Sequence, residues 1–162
     1  MPAVRSAATK WLRLVVDCEF SRPVRSTTPW SHSCSSPPSC CPDPAATTSL
    51  GLRLGAVVRA GDLLCLWGEL GAGKTHLAKA IGAGLGIDAV ITSPTFILMA
   101  EYEGRLPLFH VDLYRLADGV DALAGGLLDD RQTTGVTLIE WPDRLGDAIP
   151  GERLDVLIGG SG

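Results

Sequence analysis

Eight residues in the middle of the chain combine glycine, lysine and threonine at a spacing that suits phosphate binding. Residues 68–75 read Gly-Glu-Leu-Gly-Ala-Gly-Lys-Thr, which matches the pattern Gly, four residues, Gly-Lys-Thr. Glycine lets the backbone turn tightly and brings its N–H groups against phosphate oxygens. Lys74 adds a cation for the outer phosphates, and Thr75 adds a hydroxyl for magnesium. We therefore predict a site for ATP with Mg²⁺; the alternative is an ordinary glycine-rich turn.

Two carboxylates follow apolar runs further along the chain. Asp112 comes after Leu-Phe-His-Val, and Glu140 comes after Val-Thr-Leu-Ile. A carboxylate at the carboxyl end of a buried strand emerges where ligands bind in open α/β folds. One is expected to hold magnesium, directly or through water, while the other orients the attacking water. The alternative is that each caps a helix or pairs with an arginine, such as Arg115 or Arg144.

Hydroxyl and imidazole groups add further candidates. Thr95, in Ser93-Pro94-Thr95, occupies the place where many P-loop enzymes carry a hydroxyl near the γ-phosphate on a loop that changes conformation; the alternative is a turn around Pro94. His76 directly follows the phosphate loop and is interpreted as a packing or surface residue rather than a catalyst. His110 is interpreted as a hydrogen-bonded structural residue rather than a proton shuttle.

The elements around the loop are those a phosphate site needs. Residues 62–67 form a nearly continuous apolar run, typical of a strand covered on both faces, and they lead directly into the loop. Leu77, Ala78, Ile81 and Leu85 then line one helical face, with Gly86 at the expected C-cap. An earlier helix is predicted from Pro44 to Gly61, with Ala46, Leu50 and Leu54 on its apolar face.

The second half of the chain predicts more strands. Residues 96–102 and 106–113 form a β-hairpin, a helical stretch covers 120–128, and strands cover 136–141 and 153–158. The fold class is therefore α/β: a mainly parallel sheet flanked by helices, with a β-hairpin insertion, as in P-loop NTPases.

Composition and charge narrow the class of function. The 162-residue chain carries a formal net charge of -4, which argues against direct binding of DNA or RNA by a basic surface. No apolar run approaches a membrane span, and no signal peptide is evident, so a cytoplasmic protein is expected. The five cysteines show no zinc-binding spacing, and Cys65 is interpreted as a small apolar residue of the core.

The chain divides near residue 43. Residues 21–44 are rich in Ser, Pro and Cys without any period, so residues 1–43 are predicted to be a disordered extension or the result of a misassigned start or frameshift. Residues 44–162 are predicted to form the P-loop domain.

Four motifs in one order resemble the TsaE family, whose older name is YjeE. They are the loop 68–75, Ser93-Pro94-Thr95-Phe96, residues 110–116 (His-Val-Asp-Leu-Tyr-Arg-Leu) and Ile139-Glu140-Trp141-Pro142. The family comprises small bacterial P-loop ATPases required to make threonylcarbamoyladenosine at position 37 of tRNAs that read codons beginning with A. The resemblance implies that the protein works with the TsaB–TsaD pair, where its weak, partner-dependent ATP hydrolysis resets the assembly, and that it meets tRNA only through that complex.

The resemblance also implies individual roles. The residues expected to contact the nucleotide are Gly71, Ala72, Gly73, Lys74, Thr75, His76 and Trp141. Thr75 and Glu140 would bind magnesium, and Asp112, Lys74 and Thr95 would form the catalytic set. Relative to the family, residues 1–43 have no counterpart and the carboxyl end is short. Both differences concern the side of the pocket at which the nucleotide base is expected to bind.

Two other functions fit the same loop. A small-molecule kinase would transfer phosphate to an added acceptor, although no arginine-rich lid is evident, since Arg131 and Arg144 are scattered. A nucleotide-gated interaction module would bind ATP without turnover even when TsaB and TsaD are present.

Overall fold

The computed structural model describes residues 12–17, 39–40, 44–116, 128 and 130–159. Within these residues lies a sheet with the strand order β2-β1-β7-β3-β6-β5-β4. Every neighbouring pair is parallel except β4 with β5, which confirms the predicted mainly parallel sheet with a hairpin. The strands are β1 (Leu12–Asp17), β2 (Ser39–Cys40), β3 (Leu63–Trp67), β4 (Met99–Tyr102), β5 (Leu108–Asp112), β6 (Val136–Glu140) and β7 (Leu154–Gly159).

Helices cover the sheet. Those described are α1 (Pro44–Val57), α2 (Lys74–Gly84) and two 3₁₀ helices, Asp130–Thr134 and Pro142–Ala148. On one face of the sheet, Leu77 and Ile81 of α2 pack with Leu108 and Leu138. Among the described residues no helix is long and apolar enough to cross a membrane.

Strands β5 and β6 are buried at every position, because apolar side chains cover both of their faces. The second face carries a core of its own, built from Cys65, Val111, Leu113, Ile139 and Leu145. Burial raises the pKa of the Cys65 thiol to about 12, so Cys65 is a core hydrophobe as predicted. A doubly covered sheet holds the carboxyl ends of its strands in fixed positions.

Helix α1 approaches α2 more closely than its apolar pattern predicts. Ala46, Leu50 and Leu54 are only partly buried, whereas Gly51 and Gly55 are fully buried. A Cβ added at Gly55 would lie 2.2 Å from the carbonyl oxygen of Ile81. The face at the helix contact is therefore set by glycines, which let the two backbones nearly touch.

Several element boundaries differ from the prediction. β4 begins at Met99 rather than residue 96, and β6 ends at Glu140 rather than residue 141. Non-glycine residues with positive φ stand at both places: Leu98 (φ 66°) and Trp141 (φ 60°). Such a conformation cannot continue a strand. Apart from Leu128, the predicted helix at 120–128 lies outside the described residues.

Two strands lie within residues 1–43, which we expected to be an extension outside the domain. β1 pairs with β7 along its whole length, from Leu12 opposite Leu154 to Asp17 opposite Gly159. β2 pairs with β1 in turn. For these two stretches the expectation is wrong, because they extend the sheet beyond β7, a strand from the far end of the sequence. For the rest of residues 1–43 the boundary stays a prediction.

Candidate functional site

Three neighbouring strands bring the predicted site residues to one edge of the sheet. β3, β6 and β5 are adjacent, and their carboxyl ends carry the glycine-rich loop, Glu140 and Asp112. Asp112 and Glu140 are direct partners in the β5–β6 register. Together they border a cleft of about 350 Å³ whose lining residues are Leu70, Gly71, Gly73, Lys74, Thr75, His76, Ser93, Thr95, Asp112, Tyr114, Glu140 and Trp141.

The glycine-rich loop presents the start of α2 to this cleft. Gly71 (φ 81°) and Gly73 (φ 101°) adopt left-handed conformations, which favour glycine. Gly73 precedes α2 and provides no side-chain cap. The first N–H groups of the helix therefore have no side-chain partner at this end, and together with the helix dipole they suit an anion.

Lys74 is folded back along the loop. Its ammonium donates to the carbonyl oxygens of Gly68 (2.7 Å) and Glu69 (2.8 Å), and it lies 3.7 Å from the centre of the Trp141 ring. Burial lowers the pKa of Lys74, and the carboxylates of Glu140 and Asp112 oppose that shift. Among the described residues no carboxylate forms a direct ion pair with this ammonium, and a polyanion in the cleft would supply one.

Glu140 collects hydrogen bonds from two directions. The Thr75 hydroxyl lies 3.0 Å and 3.1 Å from its two carboxylate oxygens, and Nε2 of His110 lies 2.9 Å from Oε1. We call these three residues the Glu140 cluster. The alternative in which Glu140 pairs with Arg115 or Arg144 does not occur, because β6 directs its side chain toward α2.

The Glu140 cluster fits magnesium. A hydroxyl oxygen and a carboxylate oxygen are the hard ligands that Mg²⁺ takes, and Mg²⁺ is usually held by one or two protein groups together with phosphates and water. Within the described residues no group of three or more His, Cys, Asp or Glu side chains converges on one point, so a metal bound entirely by such side chains is not built here. The arrangement suits a metal that arrives with a nucleotide.

Asp112 is the centre of a second group of contacts. Its Oδ2 accepts hydrogen bonds from the hydroxyls of Ser93 and Thr95, the latter at 2.6 Å, and these two hydroxyls are 2.6 Å apart. We call Ser93, Thr95 and Asp112 the Asp112 cluster. The backbone N–H of Tyr114 donates to Oδ1 at 2.9 Å. Arg115 lies instead over the Phe96 ring, 4.0 Å from its centre. The loop does turn at Pro94, whose carbonyl oxygen accepts the N–H groups of Ile97 and Leu98, and Thr95 also contacts Asp112.

Comparison with known proteins identifies the family. The sequence matches the family described as Threonylcarbamoyl adenosine biosynthesis protein TsaE over residues 41–161. The chain belongs to the TsaE family. The tRNA threonylcarbamoyladenosine biosynthesis protein TsaE of Bacillus subtilis (strain 168) is 40% identical over 117 residues, covering 72% of this chain and 73% of the relative. The corresponding protein of Treponema pallidum (strain Nichols) is 43% identical over 104 residues, covering 64% and 77%.

The fold agrees with this TsaE membership. The crystal structure of YdiB from Bacillus subtilis superimposes with a TM-score of 0.59 and 36% sequence identity, covering 74% of each chain. The family resemblance and the P-loop NTPase fold predicted from the four motifs are therefore confirmed.

All of the predicted residues of the TsaE site except Ala72 border the cleft. The N–H of Ala72 donates to the carbonyl oxygen of Glu69 at 3.1 Å, and Ala72 packs against the core, so it shapes the loop rather than lining the cleft. The His76 ring lies at the cleft edge, with Nε2 3.0 Å from the Thr48 hydroxyl and 3.1 Å from the carbonyl oxygen of Pro44. It joins the first turns of α1 and α2, as expected of a packing residue.

Sequence reasoning missed two residues of the TsaE cleft. Ser93 was interpreted only as a turn residue, although a second hydroxyl two positions before Thr95 was a visible signal. Tyr114 packs its ring 4.9 Å from the Trp141 ring, tilted by 46°. No pattern in the sequence indicates that contact, because the two residues follow different strands.

Proposed function

We propose that this protein binds and hydrolyses ATP with Mg²⁺ as one component of the machinery that forms threonylcarbamoyladenosine at position 37 of tRNAs reading codons that begin with A. One observation carries the nucleotide part. The Lys74 ammonium and the Thr75 hydroxyl of the glycine-rich loop border one cleft with the Glu140 carboxylate, which lies 65 positions after Thr75 in the sequence and at the end of an adjacent strand. Membership in the TsaE family supports the proposed role in tRNA modification.

Each residue has a role that follows from its position. The N–H groups at the start of α2 and the Lys74 ammonium would bind the phosphates. Thr75 and Glu140 would hold Mg²⁺, which when bound neutralises charge on the phosphate oxygens. Asp112 would orient the attacking water, and Thr95 would exchange its hydrogen bond to Asp112 for one to the outer phosphate. Trp141 and His76 would flank the nucleotide.

We further propose TsaB and TsaD as partners, with ATP hydrolysis resetting their assembly and tRNA contacted only through it, in the cytoplasm. The net charge of -4 supports an indirect contact with tRNA, because phosphate backbones are bound chiefly by basic surfaces. Two exposed apolar side chains, Phe96 and Ile97, follow Thr95, so a change in the hydrogen bonding of Thr95 would reach a surface that proteins can contact.

The test compares wild type with Lys74→Ala. ATP affinity is measured by calorimetry in the presence of Mg²⁺, and capture of TsaB–TsaD is measured with and without ATP. Loss of two charge-assisted hydrogen bonds, at about 1.5–3 kcal/mol each, predicts affinity weaker by about 100-fold or more. Lys79→Ala is the matched control, because Lys79 is an exposed lysine on the same helix. Unchanged ATP affinity in Lys74→Ala would reject the nucleotide site.

The same samples separate the alternatives. A partner-dependent ATPase releases phosphate faster when TsaB–TsaD is added. A small-molecule kinase would instead transfer the phosphoryl group to an added acceptor and release no phosphate in its absence. An interaction module would bind ATP without releasing phosphate, with or without TsaB–TsaD.

A further inference from the structure

His110 is a fully buried polar residue in the middle of β5. Its side chain has no exposed surface, and its β6 register partner is the buried core residue Leu138. It lies on the same face of β5 as Leu108 and Asp112. A polar ring in such surroundings is unfavourable unless its nitrogens are hydrogen-bonded.

Only one of the two ring nitrogens has such a bond. Nε2 lies 2.9 Å from Oε1 of Glu140, while Nδ1 is buried without a hydrogen-bond partner in the described part of the chain. A carboxylate accepts, so Nε2 carries the hydrogen of this bond. The one hydrogen bond that the described residues give to this buried ring therefore goes to Glu140.

We propose that His110 is a positioning residue for Glu140, the ligand that the proposed function assigns to magnesium. The proposal rests on that function. His110 binds Oε1 from the core side, and Thr75 contacts both oxygens from the α2 side. Oε2 therefore has one hydrogen-bond contact where Oε1 has two, and it is the oxygen left more available to a cation.

A histidine suits this task. It fixes the rotation of the carboxylate through a hydrogen bond, as outer partners of metal ligands do. It also does so without the permanent positive charge of lysine or arginine, which would repel a cation bound to the same carboxylate. Because the ring is confined by the core on its strand, Glu140 stays oriented when the Thr75 oxygen turns toward a metal.

The experiment measures ATP affinity twice for each variant, in excess Mg²⁺ and in EDTA. The ratio used here is the dissociation constant in EDTA divided by the dissociation constant in Mg²⁺. Because binding of ATP and of Mg²⁺ are linked, this ratio reports how much the protein contributes to metal affinity. His110→Leu removes the hydrogen bond, and we expect the ratio to fall by about 10-fold or more, the loss typical of an outer partner. The affinity in EDTA is expected to stay unchanged.

Two further variants separate positioning from core packing. His110→Gln places an amide N–H near the position of Nε2, and we expect it to restore most of the ratio. Leu108→Ala removes a fully buried side chain from the same face of β5, and we expect a lower Tm with an unchanged ratio.

The outcomes distinguish failure of the magnesium site from failure of the positioning role of His110. If wild type shows no effect of Mg²⁺ on ATP affinity, the proposed function fails. If wild type shows the effect and His110→Leu keeps it, or if Leu108→Ala loses it equally, the positioning role is wrong while the magnesium site stands.

Discussion

The two carboxylates of the cleft are held in different ways. In the Glu140 cluster, His110 and Glu140 come from neighbouring buried strands, and their relative exposures are 0% and 2%. In the Asp112 cluster the carboxylate is also buried, but both hydroxyl donors come from the loop that precedes β4. The next two residues of that loop, Phe96 and Ile97, are 81% and 69% exposed.

This difference separates a fixed part of the site from a part that can change. The Glu140 cluster cannot reorganise without disturbing β5 and β6, which are buried at every position. The loop of the Asp112 cluster is joined to the sheet by hydrogen bonds to one carboxylate oxygen and by the packing of Leu98 against the second core, while Phe96 and Ile97 are exposed. Regions with few buried apolar contacts open at the lowest free-energy cost. Under the proposed function, we therefore expect conformational change at Ser93 and Thr95 and metal positioning at Glu140.

A non-glycine residue in the left-handed conformation lies next to each cluster. Leu98 follows the loop with a φ of 66°, and Trp141 follows Glu140 with a φ of 60°. Each left-handed non-glycine residue costs on the order of 1–3 kcal/mol, which the surrounding structure must offset. The N–H of Asp112 donates to the carbonyl oxygen of Leu98 at 2.9 Å, so the strained residue is tied directly to the Asp112 cluster.

The largest effect that separates the two clusters is expected at Asp112. Asp112→Asn keeps the size and an acceptor oxygen for the loop hydroxyls but removes the negative charge that would orient and activate water. We expect ATP hydrolysis with TsaB–TsaD to fall by about 10²–10⁴-fold, the usual contribution of a positioned base. ATP affinity, measured by calorimetry, should change little. A large loss of affinity with normal turnover would place Asp112 in binding instead.

Glu140 should show the opposite pattern. Glu140→Ala removes the proposed metal ligand itself, so ATP affinity in Mg²⁺ should weaken by about 100-fold or more, at least the upper end of what loss of an outer partner such as His110 costs. Affinity in EDTA should be nearly that of wild type. Calorimetry under both conditions checks this expectation. An equal loss under both conditions would assign Glu140 to structure, and the contrast between the two clusters would disappear.

Much of this arrangement could be predicted from local sequence signals. The apolar run 62–67, the glycine-rich loop and the helical period after it specify β3 and α2, because each signal lies within a dozen residues. Asp112 and Glu140 could be assigned to strand ends on the same grounds, and parallel strands bring such ends together.

The remainder depends on contacts between distant residues. β1 was missed because its pairing partner, β7, lies more than a hundred positions away in the sequence, and the intervening Ser/Pro/Cys-rich composition indicates no fold. The apolar period selected Leu50 and Leu54 in α1, although glycines make the closest helix contact. The loop pattern also could not show that the Ala72 N–H is used within the loop itself.

The smallest expected effect is at Thr95, and it tests whether the loop that carries Ser93 and Thr95 is the part of the site that changes conformation. Thr95→Val preserves the shape of the side chain but removes the hydroxyl that we expect to move from Asp112 to the outer phosphate. Loss of one hydrogen bond to a charged group predicts turnover with TsaB–TsaD about 10-fold lower. Ser93→Ala is the matched control, because Thr95 alone still reaches Oδ2 of Asp112, and its turnover should fall by about threefold or less.

Both loop variants should lose no more than about 2 kcal/mol of stability in denaturant unfolding, because Ser93 and Thr95 lie outside the apolar core and in each variant the other hydroxyl still donates to Asp112. That measurement decides how the turnover data are interpreted. Reduced turnover at unchanged stability would mean that the hydroxyl acts on the nucleotide. A loss of several kcal/mol would instead show that the loop is fixed by its hydrogen bonds as firmly as the strands are by their core, and the distinction between the two clusters would be wrong.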